Sequence, residues 1–168
     1  MIMAELVIRA PRKSDAAALA RIWVDNCDYY AQMDPESFQV PKKEGLVEWF
    51  ESFVSESGDD EDLSLVAEVE GRVVGSLDAS ILEPAEAADR QMIRELGERR
   101  LFVNAMGVDR EYWRAGIGSA LMGAAEQWAR ERGATCSGLD TYIRSPVSVP
   151  FYEKLGYKRQ SIRFRKQL

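Results

Sequence analysis

The stretch that decides the fold is VDREYWRAGIGSALMGAAEQW, residues 108–128, which follows the apolar run LFVNAMGV and carries Gly116 and Gly118. It predicts a strand that enters a helix through a glycine-containing turn. The first N–H groups of such a helix have no intrahelical partner and lie at the positive end of the helix dipole. Glycine also lets an anion approach the backbone closely. The stretch therefore predicts a site for a phosphate group at the start of the helix.

The apolar patterns on either side of this stretch predict alternating strands and helices. Strands are predicted at residues 6–9, 63–70, 73–82, 101–108 and 135–142, with one or two more within 157–167. Helices are predicted from residue 16 to about residue 30, over 45–56, from the glycine turn to Gly133, and over 145–155. The run 101–108 is nearly continuously apolar, which is typical of a central strand buried on both faces. This order predicts one mixed α/β domain over residues 1–168, with a βαβ crossover around the glycine turn.

Shorter patterns refine this order. Gly71-Arg72 between two alternating runs predicts a hairpin, and Gly75 within the second run predicts a bulge. Residues 83–100 predict a short helix or an ordered insertion, which either covers an acceptor site or packs at the periphery. The acidic residues 58–62 predict a solvated loop. The helix after the glycine turn is predicted to bury a stripe formed by Ile117, Leu121, Ala124 and Trp128.

Composition limits the chemistry that this chain can perform. The chain has 168 residues, a net charge of −6 and no histidine. The acidic balance argues against nucleic acid as a partner, and the missing histidine excludes His-containing catalytic triads and His-based metal sites. We therefore expect no bound metal, and an acid or base made from tyrosine, a carboxylate, lysine, cysteine or water.

The cysteines and the apolar segments indicate the cellular compartment of the chain. Cys27 and Cys136 are far apart and form no CxxC pair, so two free buried thiols in a reducing cytosol are expected. The N-terminal sequence is too short and turns acidic too soon for a signal peptide, and no apolar run reaches the roughly 18 residues of a membrane span. We predict a cytoplasmic chain with no membrane partner.

Two common phosphate-binding motifs do not fit the glycine turn. The dinucleotide fingerprint GxGxxG needs a third glycine where this chain has Leu121. The nucleoside triphosphate motif GxxxxGK[ST] does not occur either. The glycine turn is therefore expected to serve another class of phosphate-bearing ligand.

A known family has the glycine turn together with a second motif downstream. VDREYWRAGIGSALMGAAEQWARERGA is followed by SVPFYEKLGYKR, and over residues 101–159 the pair resembles the acetyl-CoA-binding half of the GNAT (Gcn5-related) N-acetyltransferases. The family pattern is Arg or Gln, two residues, Gly, any residue, and Gly or Ala. Gly116 and Gly118 match it, whereas Trp113 stands at the first position and Arg114 follows one place later. IRAPRKSDAAALARIW is weakly similar to the family's first strand and helix.

The resemblance implies a mixed, mostly antiparallel central sheet with a splayed parallel pair, flanked by helices. It also implies acetyl-CoA as cosubstrate, with the diphosphate at the turn and the pantetheine arm paired with the strand before it like an added strand. Ser145 stands where the family often has an asparagine. Arg110 and Arg114 are candidates for charge contacts with phosphate. The implied cofactor-binding residues are Met106, Gly107, Val108, Arg114, Ala115, Gly116, Ile117, Gly118, Ser119 and Ser145.

The resemblance further implies direct transfer, in which a neutral amine attacks the thioester in a ternary complex. Tyr152 in FYEKLGY matches the family tyrosine that acts as general acid to the departing thiolate. The base is left open, because no glutamate lies on the strand 101–108 and its polar Asn104 can hold a water but cannot take a proton. Asp78 is the first choice for the base, with Asp140 and Tyr142 as alternatives.

The leading hypothesis is an acetyl-CoA-dependent N-acetyltransferase of a small-molecule amine or a peptide. A non-catalytic acyl-CoA-binding or regulatory module on the same fold is the alternative, and an unrelated phosphate-binding α/β protein is a third. The acceptor is expected to contact Tyr29, Tyr30 and the loop 33–41, and the acidic charge suits a polyamine, an aminoglycoside or a basic peptide. Since many family members pair through terminal strands, a homodimer through the Ile162–Phe164 edge is possible.

Overall fold

A computed structural model describes residues 5–56 and 60–168, which form five strands and four α-helices. The strands are β1 (Leu6–Arg9), β2 (Asp62–Val69), β3 (Arg72–Leu82), β4 (Arg100–Val108) and β5 (Cys136–Leu139). The helices are α1 (Ala16–Met33), α2 (Leu46–Glu56), α3 (Ile117–Glu131) and α4 (Ser148–Lys154). Residues 57–59 of the predicted acidic loop lie outside the described residues.

The five strands form one sheet in the order β1-β2-β3-β4-β5, in which only β4 and β5 run parallel. The predicted hairpin is confirmed between β2 and β3. Its two turn residues are Glu70 and Gly71, one position earlier than the predicted Gly71-Arg72, because Val69 pairs with Arg72. Their φ angles of 50° and 77° are those that a two-residue hairpin turn requires. The predicted bulge is also confirmed, because Ala67 pairs with Gly75 while the next pair skips Val74.

The strand before the glycine turn differs from the prediction. β4 is the fourth of five strands rather than the central one, and only Leu101, Val103 and Val108 are buried along it. The other residues of β4 are half-buried or, at Asn104, exposed, so the strand is not buried on both faces. Its pairing with β5 also ends early, since only Arg100–Val103 take part. A second bulge, at Asn104, lies where the two parallel strands separate, since the pairing with β3 skips this residue. The predicted fold class, with its splayed parallel pair, is confirmed.

Each face of the sheet carries its own hydrophobic core. On one face α3 packs against β3 and β4, and on the other α1 and α2 cover Val66 and Val73. The predicted stripe of α3 is correct for Ile117 and Leu121 but wrong for Ala124 and Trp128, which are half-buried. The helix is rotated about its axis toward Met122, Ala125 and Ala129, which are fully buried against the sheet.

The C-terminal third departs most from the predicted strands. Residues 157–168 contain no regular strand, and Ile162 and Phe164 are exposed. An alternating segment becomes a strand only where a neighbouring strand pairs with it, and the described residues offer no such partner here. β5 is also shorter than predicted, so Tyr142 lies beyond its end, and α4 begins at Ser148 rather than at Ser145.

The remaining predictions for the fold are met in part. The segment 83–100 is an ordered insertion with two 3₁₀ turns, Ala88–Arg90 and Arg94–Gly97, and its last residue begins β4. Both cysteines are free, although they are half-buried rather than fully buried. In residues 5–56 and 60–168, no helix is both long enough and apolar enough to cross a membrane.

Candidate active site

The edge of β4 beyond Val103 has no pairing with β5, and we call the space next to this edge, past the end of β5, the cleft. The N–H of Asp109 donates to the Val74 carbonyl oxygen on β3 at 2.8 Å. Because successive residues of a strand direct their peptide groups to opposite edges, Met106 and Val108 direct theirs away from β3, toward the cleft. The Val108 carbonyl already accepts the indole N–H of Trp113 at 2.9 Å. The N–H groups of Met106 and Val108 therefore face the space where β5 would continue if it did not end at Leu139.

This edge leads into the start of α3. Gly116 has a φ of 86°, and a side chain at this position would meet no atom within 4 Å. The Ala120 N–H donates to the Gly116 carbonyl oxygen at 3.0 Å, so the N–H groups of Ile117, Gly118 and Ser119 have no intrahelical acceptor. No side chain among the described residues caps the helix. The combination is a backbone site suited to an anion.

The two glycines of the turn serve different purposes. At Gly116 the space above the backbone is open, as the approach of a phosphate requires. At Gly118 an added Cβ would lie 3.0 Å from Cζ of Phe151. The second glycine therefore lets α4, which carries Phe151 and Tyr152, pack closely against the start of α3.

Trp113 and Arg114, where the chain departs from the GNAT pattern, have opposite environments. The Trp113 indole points inward, since it donates to Val108 and meets Tyr29 edge to face with centroids 5.1 Å apart. Arg114 is exposed, makes no ion pair with any described residue and has a φ of 67°. A non-glycine residue in this left-handed region costs on the order of 1 kcal/mol. Arg114 thus extends from a strained backbone beside the open anion site.

Arg110 is held by side chains of α1, and Tyr29 on the same helix packs against it. Arg110 forms ion pairs with Asp25 at 3.0 Å and Asp28 at 3.1 Å, and its guanidinium lies over the Tyr29 ring. Its charge is therefore neutralised by α1 rather than directed at the glycine turn. Tyr29 is held between Arg110 and Trp113, and it also meets Tyr30 edge to face with ring centroids 5.3 Å apart. Its predicted contact with an acceptor stays a prediction.

A buried aspartate that the sequence reasoning missed anchors this turn to α1. Asp109 is 5% exposed, and both its carboxylate oxygens accept from Nη1 of Arg21 at 2.5 Å. Arg21 also donates to the Val73 carbonyl oxygen at 2.9 Å. The spacing of these residues along the chain gives no signal of the contact, because α1 and the end of β4 meet only through the tertiary fold.

Tyr152 lies on α4, packed edge to face on Phe151 with ring centroids 5.0 Å apart. Burial raises the pKa of its phenol above the ordinary value, and the nearby Tyr30 and Tyr157 raise it further. Its hydroxyl has no hydrogen-bond partner within the part of the chain that the structure describes. Tyr152 therefore keeps its proton at neutral pH and has its donor unused.

Tyr30 and Ser145 meet at the start of α4 through Ser148. The Tyr30 hydroxyl lies 2.5 Å from Oγ of Ser148, which in turn accepts from Oγ of Ser145 at 3.1 Å. Oγ of Ser145 also accepts the Ser148 N–H at 3.0 Å, and Ser145 is 3% exposed. These contacts give Ser145 an internal role in shaping α4. Its predicted contact with the cofactor stays a prediction.

Asp78 lies on the α1 and α2 face of β3, where it pairs with Ala105 just past the bulge of β4. Oγ of Ser64 donates to its carboxylate at 2.6 Å, and the recess beside it has room for about one water molecule. The recess is otherwise lined mainly by apolar side chains, among them Leu19 and Phe50. Burial raises the pKa of Asp78, against the lowering effect of Ser64.

Asn104 is the exposed bulge residue itself, and its side-chain amide donates to Oγ of Ser80 at 2.9 Å.

The alternative bases, Asp140 and Tyr142, follow β5, on the other side of the point where β4 and β5 separate. Asp140 is exposed just after β5, and the Tyr142 hydroxyl donates to Asp34 at 2.5 Å. That hydrogen bond raises the pKa of Tyr142 and lowers that of Asp34. Tyr142 is therefore a poor base.

Comparison with known proteins identifies the family of this chain. A sequence profile of the acetyltransferase (GNAT) family matches residues 10–157. The chain is 26% identical over 122 residues to an uncharacterised N-acetyltransferase of Methanocaldococcus jannaschii, and the match covers 72% of this chain and 49% of that relative. The chain thus spans about half the length of this curated relative.

Solved structures agree with the fold. A crystal structure of a mutant protein from Bacillus halodurans matches with a TM-score of 0.82 and 16% identity, over 96% of this chain and 99% of that one. The aminoglycoside N-acetyltransferase AAC(6')-Iy, bound to a bisubstrate analogue, matches with a TM-score of 0.65 and 18% identity, over 98% and 100% of the two chains. At these identities the likeness shows the fold alone.

The chain belongs to the acetyltransferase (GNAT) family. The resemblance that the glycine turn and the FYEKLGY motif indicated is therefore confirmed. The prediction that the chain is an N-acetyltransferase agrees with this family. The roles of individual residues depend on the geometry described above.

Proposed function

We propose that this chain is an acetyl-CoA-dependent N-acetyltransferase, which moves an acetyl group to a primary amine of a small molecule or peptide. The observation that carries the proposal is the free edge of β4, which leads directly to the uncapped start of α3. A long ligand with an amide-containing arm and a diphosphate suits this surface, because the edge supplies strand-like hydrogen bonds and the helix supplies N–H donors. The bisubstrate complex of AAC(6')-Iy supports the same assignment.

In this proposal the turn 114–119 holds the diphosphate. The N–H groups of Ile117, Gly118 and Ser119 donate to it, the open backbone at Gly116 lets it approach, and the Arg114 guanidinium adds a charge contact. Met106 and Val108 pair with the pantetheine arm. Gly107 acts indirectly, since a Cβ there would lie 3.0 Å from Ile22 and would push α1 away from β4.

The reaction is a direct attack in a ternary complex. Bound acetyl-CoA supplies an activated acyl group, and the neutral amine nitrogen forms the new C–N bond as the C–S bond breaks. The N–H of Met106 or of its neighbours on β4 stabilises the charge that develops on the carbonyl oxygen. Tyr152 donates its phenolic proton to the departing sulfur and regains one from the nitrogen, which carries an extra proton once the C–N bond has formed. Holding both reactants in one cleft makes the attack effectively unimolecular.

Asp78 is the base in this proposal. Its raised pKa brings the carboxyl closer to neutral pH, where a general base is most effective. The small recess beside it can hold a water that passes the proton from the substrate ammonium. Asn104 is exposed at the bulge of β4 and donates to Ser80, and in this proposal it holds a further water on the path of the proton.

The test is an acetylation screen over several classes of amine, with release of free thiol as the readout. Turnover above the rate of thioester hydrolysis with at least one class supports the proposal. Binding of acetyl-CoA with no transfer across the panel would instead favour a non-catalytic acyl-CoA-binding module. Trp113 in place of the family's Arg or Gln, and the missing glutamate on β4, are the observations that favour this alternative.

A further inference from the structure

The Arg144 guanidinium lies against Tyr142 and Asp34, close to the residues where we expect the acceptor to bind. The guanidinium of Arg144 lies 5.5 Å from the ring centroid of Tyr142, and its Nη2 is 3.4 Å from Oδ2 of Asp34. We call the Tyr142 ring face and the Asp34 carboxylate the Arg144 seat. An aromatic face beside a carboxylate is the chemistry that binds alkylammonium groups. We propose that this seat takes a second ammonium of the acceptor, so that the preferred substrates are di- or polyamines.

The seat itself is held firmly. The Tyr142 hydroxyl donates to Oδ2 of Asp34 at 2.5 Å, while the N–H groups of Glu36 and Ser37 donate to Oδ1 at 3.2 and 3.3 Å. The Asp34 side chain is 13% exposed. Phe38 packs edge to face on Tyr142 with centroids 4.9 Å apart. The ring and the carboxylate are therefore fixed relative to each other before any ligand arrives.

The Arg144 guanidinium, which occupies the seat in this structure, has only weak contacts there. The Arg144 side chain is 75% exposed, and its contact with Asp34 is longer than a good charged hydrogen bond. Exposed ion pairs of this kind contribute little stability. Arg144 thus marks a place where a positive charge is accommodated and from which it can be displaced by a ligand cation.

The seat lies one aromatic ring away from the proposed reaction centre. The Tyr30 ring centroid is 5.2 Å from that of Phe38 and 6.5 Å from that of Tyr142. The Tyr30 hydroxyl contacts Ser148 on α4, the helix that carries Tyr152, and Tyr30 is close enough to Tyr152 to affect its ionisation. An acceptor whose reacting amine is near Tyr152 and whose second amine reaches the seat must span Tyr30, which fixes a preferred distance between the two nitrogens.

This inference rests on the proposed acetyl transfer, and its test separates the two. KM is measured for α,ω-diaminoalkanes of increasing length and for the monoamines of the same lengths. We expect a diamine KM roughly 10-fold below that of the matched monoamine, at an optimal length. Equal KM values for diamines and monoamines at every length would overturn the inference while leaving acetyl transfer intact. Turnover of no amine would overturn both.

Two variants and a control show whether the Arg144 seat causes the preference for diamines. Asp34→Asn keeps an oxygen for the Tyr142 hydroxyl but removes the charge, and we expect the diamine KM to rise toward the monoamine value. Arg144→Gln removes the competing cation, and we expect a diamine KM several-fold lower. Glu36→Gln removes an equal charge from an exposed side chain two residues away, and it should keep the diamine preference. A diamine preference that survives Asp34→Asn, or a diamine KM unchanged or raised by Arg144→Gln, would overturn the inference.

Discussion

The two sides of the cleft are assembled in contrasting ways. The proposed cofactor side comes from one continuous stretch, in which the free edge of β4 leads into the glycine turn and α3. The acceptor side joins segments that are distant in sequence, as the hydrogen bond between Asp34 and Tyr142 shows across 108 positions. Each side also holds an arginine over a tyrosine ring. Arg110 is 34% exposed and paired with two aspartates, whereas Arg144 is 75% exposed and contacts one.

This difference implies that the Arg110 side chain is held in place, whereas the Arg144 side chain can move away from its partners. Arg110 ties the turn before α3 to Asp25 and Asp28 of α1, so we expect one geometry on the proposed cofactor side. The acceptor side has a fixed carboxylate and ring but a displaceable cation. Variants on the cofactor side should therefore affect every acceptor alike, and variants on the acceptor side should affect acceptors according to their charge.

The largest effect is expected from Tyr152→Phe, which removes the proposed acid but keeps the ring packing on Phe151. We expect kcat to fall roughly 100-fold for all amines, with little change in the Kd of acetyl-CoA. Steady-state kinetics and calorimetry measure the two quantities. Tyr157→Phe is the control, because it loses hydrogen bonds to Ser137 and Glu126 and should lower Tm rather than kcat. An unaltered kcat in Tyr152→Phe removes this residue as the acid.

The next effect is expected from Asp78→Asn, because it removes the proposed base. We expect kcat/KM to drop about 10-fold or more and the acidic limb of its pH profile to disappear. A variant with the wild-type acidic limb would show that another group titrates there. Ser64→Ala, which removes the hydrogen bond that lowers the Asp78 pKa, should move the limb to higher pH.

Asp78→Asn also leads to a separate prediction, for the stability of the fold. The folded-state pKa of Asp78 is raised, so the native chain binds its proton more tightly than the unfolded chain does. The contribution of Asp78 to stability is therefore fully present below its unfolded pKa and is lost as the pH rises through its folded pKa. Asp78→Asn should thus gain stability over the wild type as the pH rises, which urea unfolding at several pH values measures. A gain that shrinks with rising pH contradicts the assignment.

A smaller effect is expected from Gly118→Ala, because the new Cβ meets Phe151 and shifts α4 with Tyr152. We expect kcat to fall about 10-fold through misplacement of the acid. Gly123→Ala in the same helix is the matched control, since nothing lies within 4 Å of its Cβ. This control should raise stability by roughly 0.5–1 kcal/mol and leave kcat unchanged. Equal kcat values for both variants would show that α4 does not depend on Gly118.

The smallest effect is expected at Arg114, where two substitutions separate charge from backbone strain. Arg114→Gly should weaken acetyl-CoA binding several-fold and raise the free energy of unfolding by about 1 kcal/mol, because glycine relieves the positive φ. Arg114→Ala should weaken binding equally without that gain. Calorimetry and urea unfolding measure the pair. Wild-type affinity in both variants would place Arg114 outside the cofactor site.

The sequence predicted the glycine turn and α3 because the information for both is local. Gly116 and Gly118 follow a strand and precede an apolar stripe, so turn and helix could be inferred from neighbouring residues. The bulge at Asn104 and the early end of β5 are set by pairing between strands, and no nearby residue indicates them. The same holds for Asp34, which only the folded chain brings to Tyr142. The alternation of Ile162 and Phe164 misled the prediction because strand formation requires a partner as well as a pattern.

The central claim is that the edge of β4 and the start of α3 form a site for acetyl-CoA. Calorimetric titration of the chain with acetyl-CoA tests it most directly. We predict saturable binding of one molecule per chain in the micromolar range, weakened by added salt because part of the affinity comes from phosphate. Absence of a binding heat at millimolar acetyl-CoA, at low and high salt alike, would contradict the claim.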